Sequence, residues 1–110
     1  MTDLKPPFVC HVHEGFYDAV YIGRADPRWQ LEEGKWTNPF KTTNYVDRTG
    51  VVRQYEAFLR RPMQQYLRNQ LDELTGKPLA CWCRRSHVPR TDENMCHGDV
   101  LVKLWKERYQ

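Results

Sequence analysis

Cys81, Cys83, Cys96, His97 and Asp99 bring three thiols, an imidazole and a carboxylate into nineteen consecutive residues, opening on Cys81-Trp82-Cys83 and closing on Cys96-His97-Gly98-Asp99. Such a set holds the parts of hydrolysis or group transfer: a nucleophile, a proton carrier and an acid or base. A helix starting at Gly98-Asp99 would place its unpaired N–H groups and its positive dipole end beside Cys96, lowering that thiol's pKa. Cys96 is therefore the candidate nucleophile, with His97 or Asp99 as acid or base. Asp99 is also expected to be either the N-cap of that helix or a carboxylate in its first turn. Cys81 and Cys83 share one face of an extended strand, Cys81 as core packing and Cys83, nearer the strand end, as a ligand contact. Cys83, Cys96 and His97, joined by His87 or Cys81, amount to a sulfur and nitrogen donor set for zinc. The C-x-C spacing and the adjacency of Cys96 and His97 differ from the usual C-x2-4-C knuckle, so no metal ligand is assigned and no cofactor is expected.

Three further segments carry polar groups suited to a ligand. Gly23-Arg24 follows a strand, where an α/β fold offers backbone and guanidinium groups to an anion. Trp36 and Asn38, in Trp36-Thr37-Asn38-Pro39-Phe40, place an amide between aromatics on a rigid turn. Gly98 lets a backbone approach closely at the helix start. Arg84, Arg85 and Arg90 lie between the cysteine motifs and are read as a solvated loop, with an anion-collecting lid as the alternative. His11 and His13 share a strand face, and exposure at the surface is the simpler account of both.

The elements that must position these groups follow from hydrophobic spacing. Residues 8–13 alternate and residues 18–23 are rich in β-formers, which suggests two short strands forming a hairpin through Glu14-Gly15. Residues 24–50 hold breakers without a sustained period and read as a long functional loop. Val51, Val52, Tyr55, Phe58 and Leu59 recur at helical spacing; Pro62 interrupts, and Met63, Tyr66, Leu67, Leu71 and Leu74 resume it. Gly76 stops the helix, Leu79 to Cys83 form a buried strand, and Val100, Leu101, Leu104, Trp105 and Arg108 define one face of a last helix. The expected fold is a small single-domain α/β sandwich, a short mixed or parallel sheet flanked by helices with the last strand central, over residues 8–110 behind an arm at 1–7.

The 110 residues suffice for one core without metal or disulfide support, and 28% charged with 40% hydrophobic residues excludes extensive disorder. The 17 basic and 14 acidic side chains give +3 and an isoelectric point near 8.7, a balance that favours an anionic small molecule and permits nucleic acid. No apolar run approaches a membrane span and the N-terminus lacks a signal-peptide pattern, so a cytoplasmic protein with reduced cysteines and no membrane partner is expected.

The motifs Tyr17-Asp18 with Tyr21-Ile22-Gly23-Arg24, Trp36-Thr37-Asn38-Pro39-Phe40, Ala80-Cys81-Trp82-Cys83 and Cys96-His97-Gly98-Asp99-Val100-Leu101 together resemble a bacterial and phage family known as domain of unknown function 4326. The resemblance runs from Val9 to Leu104. It implies that these distant segments converge, and it brings no assigned reaction. The chain departs from the family pattern at Thr37, where glycine is usual, and in residues 84–95, which lengthen the gap between the cysteine motifs. These readings together point to a domain binding a nucleotide-like or other phosphorylated small molecule at the strand ends, with hydrolysis or group transfer as its reaction class. The alternative is a non-enzymatic zinc-containing or basic adaptor contacting nucleic acid or protein through Arg84, Arg85 and Arg90.

Overall fold

A computed structural model describes residues 4–42, 47–91 and 95–110. Parts of three expected features lie outside them: residues 1–3 of the arm, 43–46 of the long loop and 92–94 of the Arg-rich segment. Three parallel strands, β1 (Phe8–His11), β2 (Val20–Tyr21) and β3 (Pro78–Cys81), form one sheet in the order β1-β3-β2. The last strand is central, as its unbroken apolar run predicts, and all four of its residues are buried. The hairpin expectation is corrected. β1 and β2 each pair with β3 and not with each other. Between them residues 12–19 turn back through a 3-10 turn at Val12–Glu14 and Gly15, whose φ of 69° is the left-handed conformation that glycine adopts without strain.

Register fixes what each strand buries. Val9, Leu79 and Val20 lie side by side, so with Cys81 and Ile22 they form the face that meets the helices. Helix α1 (Arg48–Arg60) starts at Asp47, whose Oδ1 accepts the Gly50 N–H at 2.8 Å, and buries Val51, Val52, Tyr55 and Leu59. Pro62 does end it. A 3-10 turn, the four-residue α2 (Gln65–Arg68) and a second 3-10 turn at Leu71–Leu74 follow. Leu67, Leu71 and Leu74 go inward, whereas Met63 and Tyr66, expected on the same stripe, point to solvent because the 3-10 turns change the period from 3.6 to 3.

Helix α3 (His97–Tyr109) closes the core with Val100, Leu101, Leu104 and Trp105. Its N-cap is Cys96, which makes Asp99 a first-turn carboxylate, the second of its two expected places. Asp99 sits at the third helical position, where its carboxylate accepts the Cys96 N–H at 2.9 Å while the Cys96 sulfur accepts the Gly98 N–H at 3.3 Å. No helix among the described residues is long and apolar enough to cross a membrane.

Candidate functional site

A cavity of about 620 Å³ opens at the carboxyl ends of β2 and β3, within the range of about 300–1,000 Å³ typical of small-molecule sites. Its walls come from β2 and the turn after it, the Thr37 to Thr42 stretch, the first turn of α1, the end of β3 and the start of α3. Parallel strands place backbone ends and helix starts at this edge, which is where open α/β sheets hold ligands.

The Gly23-Arg24 corner is locked from several sides. The Trp82 indole N–H donates to the Tyr21 hydroxyl at 3.0 Å, and that hydroxyl donates to the Arg24 carbonyl at 2.5 Å. Thr37 donates to the Gly23 carbonyl at 2.8 Å, and an Arg24 guanidinium nitrogen donates to the Phe40 carbonyl at 2.5 Å. A Cβ on Gly23 would stand 2.5 Å from the Tyr21 hydroxyl oxygen, so the close approach of that ring requires glycine. Asn38 is buried and holds the opposite wall: its Oδ1 accepts the Phe40 N–H at 2.9 Å and its Nδ2 donates to the Val51 carbonyl at 3.5 Å.

Gly23, Arg24, Asn38, Cys83, Cys96 and His97 line the cavity; Trp36, Gly98 and Asp99 do not. Trp36 is a core residue, its indole N–H donated to Glu73 at 2.9 Å and its carbonyl accepting the Tyr55 hydroxyl at 2.7 Å. Gly98 is wedged against the sheet, where a Cβ would meet Val9 and Ile22 methyl groups at 2.8 Å. Asp99 turns to Arg84, which grips it with two hydrogen bonds of 2.8 Å. That pair is 11% and 6% exposed, so Arg84 belongs to the interior and not to a solvated loop. Nor is the α3 start an anion cradle, since the Cys96, Gly98 and Asp99 N–H groups are all taken within the cap itself.

The thiol assignments change as well. β3 ends at Cys81, so Cys83 leaves the strand direction and is exposed, while Cys81 and Cys96 are buried with their sulfurs 3.7 Å apart. The Cys81, Cys83 and Cys96 sulfurs all lie within 4.8 Å of one another. Neighbouring thiols and burial push Cys96 up, away from the thiolate expected of it; hydrogen bonds from Cys81 and Cys96 pull Cys83 down. Cys83 is the exposed thiol of the three.

His97 Nε2 is 2.6 Å from the Ile22 carbonyl, an acceptor only, so the proton sits on Nε2. Burial lowers its pKa, keeping a neutral ring that packs edge-on against Tyr55 at 5.2 Å. His11 and His13 are not in the lining. They pack with Trp29 and Trp82 in a ring cluster, with His13 4.8 Å from Trp29 and 5.1 Å from Trp82.

Arg48, Lys41, Phe40 and Trp82 also line the walls; Phe40 and Trp82 stand in motifs the sequence offered, whereas Lys41 and Arg48 were not marked. Asp47 ahead of Val51 and Val52 is the signal that would have placed Arg48 in a first helical turn. The cavity's acidic side chain, Asp26, is held by Arg28 through two hydrogen bonds of 3.1 Å.

Residues 84–91 are tied back to the sheet by Glu14, which accepts the Ser86 N–H at 2.6 Å and hydroxyl at 2.7 Å. Burial would raise the Glu14 pKa, but the Ser86 and His11 hydrogen bonds outweigh it and lower the value below 4.5. A depressed carboxylate pKa means that the tether is present above the unfolded value and lost as pH falls through the folded one. Glu14→Gln is expected to speed exchange of the Ser86 amide at neutral pH by roughly two- to fivefold, the range left to a solvent-screened contact. Acidification well below pH 4.5 should erase the difference, leaving the Ser86 amide equally protected in wild type and Glu14→Gln at the same pH, as measured by hydrogen exchange.

A family model described as Domain of unknown function (DUF4326) matches residues 6–107. The chain is similar to the uncharacterized protein R718 of Acanthamoeba polyphaga mimivirus, 33% identical over 94 residues, which cover 82% of this chain and 70% of the viral protein. No solved structure matches the chain significantly.

Proposed function

The chain belongs to the DUF4326 family, and from that premise we propose that it binds a nucleotide-like or other phosphorylated small molecule in the cavity at its strand ends. The observation that carries this reading is the convergence of Arg24, Lys41 and Arg48 on one cavity also walled by Phe40 and Trp82. Guanidinium groups match phosphate oxygens two at a time, and a flat aromatic wall offers a base a surface to stack on. In this reading Gly23 and Asn38 shape the wall, and the anion is held by side chains and not by the α3 start. Should turnover follow binding, neutral His97 is the proton acceptor through Nδ1, its Nε2 proton being given to the Ile22 carbonyl, and Cys83 replaces Cys96 as the thiol within reach.

Calorimetric titration with a nucleoside 5′-monophosphate and with inorganic phosphate tests the assignment. Arg48→Ala lies on the exposed first turn of α1 and should leave the fold intact. It is expected to weaken nucleotide binding about tenfold or more, because a hydrogen bond to a charged group contributes about 1.5–3 kcal/mol. Absence of heat from both probes, or equal affinity in Arg48→Ala, would overturn the reading. Of the alternative, a zinc-containing or basic adaptor, the basic form loses Arg84 to Asp99, whereas the zinc form has the Cys81, Cys83 and Cys96 sulfurs within 4.8 Å of one another.

A further inference from the structure

We propose that Cys81, Cys83 and Cys96 form a binding site for a thiophilic divalent cation, zinc by preference, with the fourth coordination position open to the cavity. Two consecutive elements create it: β3 ends on Cys81 and releases Cys83, and the cap of α3, 15 residues on, delivers Cys96. The sequence named these cysteines as possible donors but its C-x-C spacing argued against a site, because the third donor comes from the cap of α3 and not from a neighbouring knuckle.

The dimensions fit. Zinc–sulfur bonds of about 2.3 Å at a tetrahedral angle set sulfurs about 3.8 Å apart. The Cys81 and Cys96 sulfurs already stand at 3.7 Å, and none of the three pairs exceeds 4.8 Å. Closing the remaining gap falls to Cys83, the exposed member, whose side chain is least confined. Both buried sulfurs also accept backbone N–H groups, Cys81 from Cys83 at 3.4 Å and Cys96 from Gly98 at 3.3 Å. Such donors suit sulfur as an acceptor and orient it as outer-shell contacts orient metal ligands.

Three thiolates leave one position of a tetrahedron, and all three cysteines line the cavity. His97 does not fill it through Nε2, which is held by the Ile22 carbonyl. Water or a donor atom of a bound molecule completes the set, the arrangement of a zinc that takes part in binding or chemistry and not of a closed structural site. The proposal stands on the cysteine geometry alone; its failure leaves a phosphate site at Arg24 and Arg48 untouched, and the reverse holds.

The test is titration of chelator-treated, fully reduced protein with zinc against a chromophoric competitor, and with cobalt(II) followed by absorption. One equivalent of zinc and the thiolate charge-transfer and tetrahedral visible bands of cobalt are expected. Cys83→Ser, at an exposed position with its fold checked by circular dichroism, should weaken zinc at least about tenfold, since a primary ligand counts for no less than its supporting contacts. Cys10→Ser, outside the cluster, should bind as the wild type does. No zinc uptake at micromolar concentration, equal affinity in Cys83→Ser, or cobalt bound without sulfur charge transfer would overturn the proposal. So would recovery of a Cys81–Cys96 disulfide that zinc fails to prevent under mild oxidation.

Discussion

Asp99→Ala is expected to lower the unfolding free energy by about 3–5 kcal/mol, because it strands the Arg84 guanidinium in the interior without its partner. The carboxylate takes two hydrogen bonds from Arg84 and one from the Cys96 N–H, so the substitution breaks the ion pair and the helix cap together. Urea unfolding followed by tryptophan fluorescence measures it. Arg84→Met combined with Asp99→Leu should cost less than the two single changes added, since an apolar pair leaves no charge unpaired. A loss under about 1 kcal/mol in Asp99→Ala would mean that the pair behaves as a solvent-exposed bridge. The consequence reaches the cavity, because the cap that Asp99 completes is the one that places Cys96 and His97 on its wall.

Trp105→Ala should have a comparable effect, about 3–5 kcal/mol, as the largest fully buried side chain of the core is replaced by a void. Its indole N–H donates to the Thr75 hydroxyl at 2.9 Å, tying α3 to the turn that leads into β3. Trp105→Phe keeps much of the apolar volume and loses this bond, and is expected to fall between wild type and alanine. For a domain whose net stability is about 5–15 kcal/mol, either alanine variant removes a large share, read as a lower urea midpoint. Equal stability of Trp105→Ala and wild type would contradict the packing described.

What the sequence revealed of this fold is what depends on local period. The apolar run of β3 marked a central strand, and the spacing of Val51 to Leu59 and of Val100 to Trp105 marked the buried faces of α1 and α3. Strand direction was not legible. Alternation at residues 8–13 and β-formers at 18–23 read the same whether the strands pair with each other or with a third strand, and only the β3 ladder decides.

The site divides in the same way. Cys83, Cys96, His97, Gly23, Arg24 and Asn38 do meet at one cavity, because all but Asn38 sit at a strand end or helix start that the motifs disclosed, and Asn38 sits on the Asn-Pro-Phe turn. Trp36 and Asp99 were misplaced for a shared reason: their partners, Glu73 and Arg84, are 37 and 15 residues away, and no spacing rule couples them. Cys96 lost its thiolate assignment because its own sulfur serves as the helix cap and lies against two other thiols. Arg48 went unseen while residues 24–50 read as a single loop.

The most direct measurement of the central claim is a backbone amide NMR titration of the full chain with a nucleoside 5′-monophosphate. The account predicts saturable shifts confined to the cavity walls, at Gly23, Arg24, Phe40, Arg48 and Cys83, and greatly reduced in Arg48→Ala. Shifts that fall elsewhere, or none at millimolar nucleotide, would contradict it.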